Sequence, residues 1–92
     1  MAALNLSGQL VGDISATLTQ LDGQLGASVS LEVDCQHLLR VDFIAAGDLL
    51  NWVLARRGEN RFVIFNNPHR LIALFFGAMG INEHAQVKLQ TV

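Results

Sequence analysis

Apolar spacing along this 92-residue chain switches repeatedly between a period of two and a period near 3.6. A chain patterned that way has few options besides helices layered on a sheet. Val29, Leu31, Val33 and Cys35 alternate with Ser30, Glu32 and Asp34, which predicts a half-covered strand over 29–35. Phe62 to Phe65 is a short unbroken apolar run of the kind found in central parallel strands. Leu4, Leu6 and Leu10 share one parity, interrupted by Ser7 and Gly8, and predict a first strand over 4–10 with a bulge or bend. A last strand over 85–89 alternates through Val87 and Leu89.

Helical spacing fills the intervals. Ile14, Leu18, Leu21 and Leu25 form one stripe, opened by Asp13 or Ser15 as cap and closed by Gly26. Residues 43–57 contain no proline and stop at Gly58, after the Arg56–Arg57 doublet that suits a helix carboxyl end. Asn67 as cap and Pro68 at the first helical position open a third helix that runs to Met79 and stops at Gly80. The segment between Cys35 and Phe43 reads as a polar turn region. The expected fold is therefore one α/β domain with a four-stranded, mainly parallel sheet and helices chiefly on one face. Its first strand could run either parallel or antiparallel to its neighbours.

A chain of this length builds a single core and buries only about 60 to 65% of its unfolded surface. Hydrophobic residues are 51% and charged residues 15%, against a charged share of about 25% in ordinary domains, so disorder is excluded and some apolar surface should stay exposed. Six basic and eight acidic residues give a net charge of −2 with no run of either sign, which argues against nucleic acid as a partner. The single cysteine, Cys35, makes no internal disulfide and fits a reducing compartment, with the cytoplasm as expectation. No segment reaches the roughly 20 apolar residues that span a bilayer, so direct membrane insertion is not expected. Strand-like sequence begins within a few residues of Met1, as in a domain cut from a longer protein.

Catalytic and ligand-binding chemistry finds little support. His37, His69 and His84 fall in separate turns without metal-ligand spacing, and no cofactor or metal is expected. Cys35 has His37 nearby in sequence but reads as a buried inert thiol. Gly8 and Gly12 lack the spacing and the lysine of a phosphate-binding loop. Asp34, Asp42 and His37 could serve an enzyme or small-ligand site only if they converged in a pocket, and Asp42 reads more simply as a helix cap.

The helix starting at Phe43 carries the sharper expectation. Placing residues 100° apart puts Phe43, Ala46, Leu50, Val53 and Leu54 on an inner side, with Ala45, Asp48, Leu49, Trp52 and Arg56 opposite. An outward Trp beside Arg resembles the composition of binding hot spots; the alternative is that Trp52 covers a loop of its own domain. In the third helix Leu71, Ile72, Phe75, Ala78 and Met79 form the expected core stripe. Leu74 and Phe76 are left as flanks, either extra core or contacts with a partner or a second copy.

These residues resemble the STAS domains of anti-sigma-factor antagonists and sulphate transporters over nearly the whole chain. Leu6-Ser7-Gly8-Gln9-Leu10 is similar to the family's first strand, often L-x-G-E-L. The stretch from Val33 to Leu50 resembles, without a gap, a segment close to V-D-L-S-x-L-x-x-I-D-S-S-G-L-G-x-L-L. Asp34, Asp42, Gly47, Leu49 and Leu50 fall on matching positions, and Asn67-Pro68 and Gly80-Ile81 echo the closing part. The resemblance implies a non-enzymatic adaptor whose helix start docks onto a kinase-like anti-sigma factor, sometimes gated by serine phosphorylation. Phe43 and Ile44 occupy the two hydroxyl positions here, and sliding the register by two places Ala45 and Ala46 there. A phosphate adds about −1.5 to −2 charges, which this helix start cannot receive, so a permanently unmodified module is expected. Arg40, Val41 and Asp42 also resemble the STAS subunit of a bacterial lipid-asymmetry ABC transporter, which binds an ATPase subunit. The implied partner surface comprises Asp42, Phe43, Ile44, Ala45, Asp48, Leu49, Trp52 and Arg56.

Overall fold

The computed structural model describes residues 4–89. Strand β1 (Leu4–Asn5) and strand β2 (Gly8–Leu10) are followed by helix α1 (Ser15–Gln24), strands β3 (Ser30–Asp34) and β4 (Leu38–Val41), and helix α2 (Phe43–Gly58). Strand β5 (Phe62–Asn66), helix α3 (Arg70–Ala78), a 3₁₀ turn at Ile81–Glu83 and strand β6 (Gln86–Lys88) complete the order. The main sheet runs β1-β3-β5-β6, and every ladder in it is parallel. β2 and β4 form a second, also parallel, pair. The α/β class and the four-stranded parallel sheet match the sequence expectation; the first strand is parallel, not antiparallel.

Period two explains how the sheet is covered. Leu4 lies beside Val33, Leu31 beside Val63, Val33 beside Phe65 and Phe65 beside Val87, so one face collects the apolar side chains that the helices bury. The intervening positions, Ser30 and Glu32 with Phe62 and Gln86, point to the uncovered face and are exposed. All four residues of the α1 stripe, Ile14, Leu18, Leu21 and Leu25, are buried as their spacing predicts. α2 lies against β5, and Phe76 of α3 meets Phe65 with ring centroids 5.3 Å apart.

The expected first strand is two short strands. At Gly8 the backbone takes φ +69°, a left-handed value that bends the chain out of one ladder and into the other. β4 occupies part of the segment read as a turn. The third helix starts later than Pro68: Asn67 sits at φ +65° and donates its backbone N–H to the carbonyl of Lys88 at 2.7 Å, and His69 is the cap residue without a side-chain bond. Phe76, expected as a flank, is fully buried, whereas Leu71 and Ala78, expected in the core stripe, are exposed.

Candidate functional site

Asp42 caps α2, as its sequence position suggested. One carboxylate oxygen accepts the N–H of Ala45 at 2.8 Å and the other accepts the N–H of Gly12 at 2.9 Å. Gly12 reaches that position with φ +71°, a conformation costly for any residue with a Cβ. Bonds from Ala45 and Gly12 hold the Asp42 carboxyl below its ordinary value, helped by the nearby Arg40. Six residues on, Asp48 accepts the N–H of Ile14 at 3.1 Å. Both aspartates thus tie the β2–α1 loop to the first turns of α2. Asp48, expected on the partner surface, has its carboxylate engaged within the domain.

The face of α2 is the main correction. Ala45, Ala46, Leu49, Trp52 and Val53 are its buried residues, with Leu49 0% and Trp52 6% exposed. Ala45, Leu49 and Trp52 therefore cannot be surface contacts. The inner row at i, i+4, i+7 and i+8 from Ala45 is a regular amphipathic stripe, but the remaining apolar residues of α2 form a competing stripe, and spacing does not choose between them. Trp52 is anchored from outside the helix: its Nε1–H donates to Asp22 Oδ1 of α1 at 2.8 Å. Arg56 donates to the same carboxylate oxygen, pairs with Glu59 at 3.2 Å, and lies 5.8 Å from the Trp52 ring centroid. Arg56 is thus a staple between α1 and α2 and not an outlying anchor for a partner.

What remains exposed is the first turn. Phe43 is 71% and Ile44 63% exposed. Phe43 is supported edge-on by Phe75 of α3, with centroids 5.3 Å apart. Leu39 of β4 and Val11 of the loop clamped by Asp42 are also exposed. Exposed apolar side chains thus cluster in sequence around the start of α2, with Arg40 exposed two residues before the Asp42 cap.

The other sequence candidates are dispersed. Asp34 accepts the N–H of Gln36 at 3.0 Å and an Asn67 amide N–H at 3.5 Å, and His37 is exposed in the turn between β3 and β4. Among the described residues no three His, Cys, Asp or Glu side chains come together to hold a metal ion, and no helix is long and apolar enough to cross a membrane. A groove of about 430 Å³ lies at the other end of α2, where Arg57 bonds His84 Nδ1 at 3.2 Å above Phe62 and Ile64; it holds none of the expected contact residues. Cys35 is fully buried, and burial, with the Asp34 charge adding, pushes its thiol up to about 12. In native buffer near pH 7 Cys35 is expected to resist Ellman's reagent and to react only once denaturant opens the core. Immediate reaction would place it at the surface. No family model, curated protein or solved structure matches this chain.

Proposed function

We propose that this domain is a non-enzymatic, cytoplasmic protein-binding module of the STAS type that docks an ATPase partner through the first turn of α2. The observation that carries the reading is the exposure of Phe43 and Ile44, two large apolar side chains at a helix start that could have buried them elsewhere. Exposed apolar side chains on a helix start are what protein partners desolvate. The order of strands and helices and the parallel sheet are compatible with the STAS resemblance. So is the cap by Asp42, which fixes the helix start that the family presents. Because Ile44 has no hydroxyl, the surface stays apolar at all times and binding is constitutive.

The test is site-specific photo-crosslinking in the native host, with benzoylphenylalanine replacing Phe43 or, as control, the exposed Gln20 of α1. The expected result is an adduct at position 43, absent at position 20, with a protein that carries an ATPase domain. Adducts at neither position, the same adducts at both, or an adduct only with a second copy of this chain overturn the proposal.

A further inference from the structure

The face of the main sheet that no helix covers is not uniformly polar. Phe62 and Ile64 lie two apart on β5 and so point to it together, with Phe62 58% exposed. Register places Ser30 beside Phe62 and Gln86 beside Ile64. Those four residues line the groove of about 430 Å³ at the carboxyl end of α2, a volume within the usual small-molecule range of about 300–1,000 Å³. Arg57, from the last turn of α2, and Glu83 with His84, from the 3₁₀ turn and its cap, add charged and polar groups around it.

The polar groups of this groove are largely unspent within the domain. Arg57 Nη1 has only protons to give, so His84 Nδ1 accepts in their 3.2 Å bond and the ring proton sits on Nε2. No other bond of the Arg57 side chain occurs among the described residues, and the Glu83 carboxylate makes none. Arg57 and Glu83 are therefore opposite charges that line one groove without pairing, although Arg57 touches the residue that follows Glu83. An anion alone would meet Glu83 and a cation alone would meet Arg57, and like charges at close range repel. A ligand bearing both signs satisfies each, and the Phe62 and Ile64 side chains offer apolar surface to the rest of it.

We propose that this groove binds a small zwitterion with an apolar side chain, of the α-amino-acid class. Arg57 and the Nε2–H of His84 take its carboxylate, Glu83 takes its ammonium, and Phe62 with Ile64 carries its side chain. A guanidinium suits the first role because its planar fork matches a carboxylate with two parallel bonds. The groove and the first turn of α2 lie at opposite ends of that helix, so this proposal and the docking of Phe43 and Ile44 can each fail without the other.

Titration of the nitrogen-labelled whole chain with L-phenylalanine or L-leucine, followed by amide chemical shifts, tests it. Saturating shifts are expected at Phe62, His84 and Gln86 and not at Phe43 or Ile44. Phenylacetate and phenethylamine, each with one of the two charges, are expected to bind at least about tenfold more weakly than phenylalanine, the loss of one charged hydrogen bond. Arg57→Gln is expected to weaken phenylalanine by a similar factor with an unchanged circular dichroism spectrum. Glu83→Gln is expected to weaken phenylalanine but not phenylacetate, so that this variant no longer distinguishes the two. Absence of shifts at these residues with both amino acids, shifts centred elsewhere, single-charge analogues that match phenylalanine, or a folded Arg57→Gln or Glu83→Gln protein that binds phenylalanine as the wild type does overturns the proposal.

Discussion

Leu49→Asp is expected to leave the chain largely unfolded at neutral pH, while Ile44→Asp, five residues earlier on the same helix, is expected to fold normally. Leu49 is fully buried within the core cluster that joins both sheets to α1 and α2. Truncating such a leucine costs about 2–5 kcal/mol, and a carboxylate left there without a partner costs several kcal/mol more even after relaxation. Small domains have only about 5–15 kcal/mol of net stability, so the two losses together remove most or all of it. Ile44 projects into solvent from the first turn of α2, where surface changes are worth about 0.5 kcal/mol or less and an added acid complements the helix dipole. Circular dichroism with the emission of Trp52, the one tryptophan, reads both variants. A folded Leu49→Asp protein beside an unfolded Ile44→Asp protein would put α2 in the opposite rotational phase.

That contrast marks where the amino-acid sequence stops being informative about this molecule. In α1 the apolar residues occupy a single stripe, the rest of the helix is polar or small, and the stripe found from spacing is the one buried. In α2 Phe43, Ile44, Leu50 and Leu54 surround the helix together with Leu49, Trp52 and Val53, so periodicity identifies a helix but not its inner side. The deciding interactions lie 30 and 34 positions away in sequence, where Asp22 receives Trp52 and Arg56. Nothing near Trp52 signals that partner. α3 poses the same ambiguity: Phe76 and Leu71 are equally apolar, and only the position of Phe65 beneath Phe76 separates them.

Some element boundaries were legible from residues with a mechanical role, but the Asn67–Pro68 signal and the Asp13 or Ser15 cap did not mark the observed starts of α3 and α1. Gly58 closes α2 and Asp42 caps it, Gly80 follows α3 in a left-handed conformation, and alternation marks β3 within one residue of its observed ends. β4 was not legible. Leu38 and Leu39 are both apolar although only the first is buried, so four residues without alternation resemble a turn. The candidate site divides along the same line. Ile44 is exposed as expected, Phe43 and Leu54, placed by helical spacing on the inner side, are exposed instead, Asp42 is the cap it was expected to be, and Asp48 and Arg56 hold the domain together because their partners are distant backbone and side-chain groups.

Asp42→Ala is expected to lower the melting temperature at pH 7 and to make the loss pH-dependent in a defined direction. Both carboxylate oxygens are used, one on the first turn of α2 and one on Gly12, so alanine removes the helix cap and the loop clamp together. The β2–α1 loop would keep the bond from Ile14 to Asp48, which predicts local loosening at Gly12 and not loss of the fold. The ordinary carboxyl value is 3.8, and the folded one lies below it because the bonds from Ala45 and Gly12 favour the charged form. A depressed folded value means that the charged group's contribution is complete above about pH 5, well clear of the unfolded value. It declines as the pH falls through the folded value, where the native state too takes up the proton. The gap in melting temperature between wild type and Asp42→Ala should therefore be constant from pH 7 to about pH 5 and narrow in stronger acid. Amide exchange should rise at Gly12 and Ala45 and remain slow in β3 and β5. A gap that widens on acidification would mean that Asp42 is better accommodated neutral, and the clamp would then not be what sets Phe43 and Ile44 at the surface.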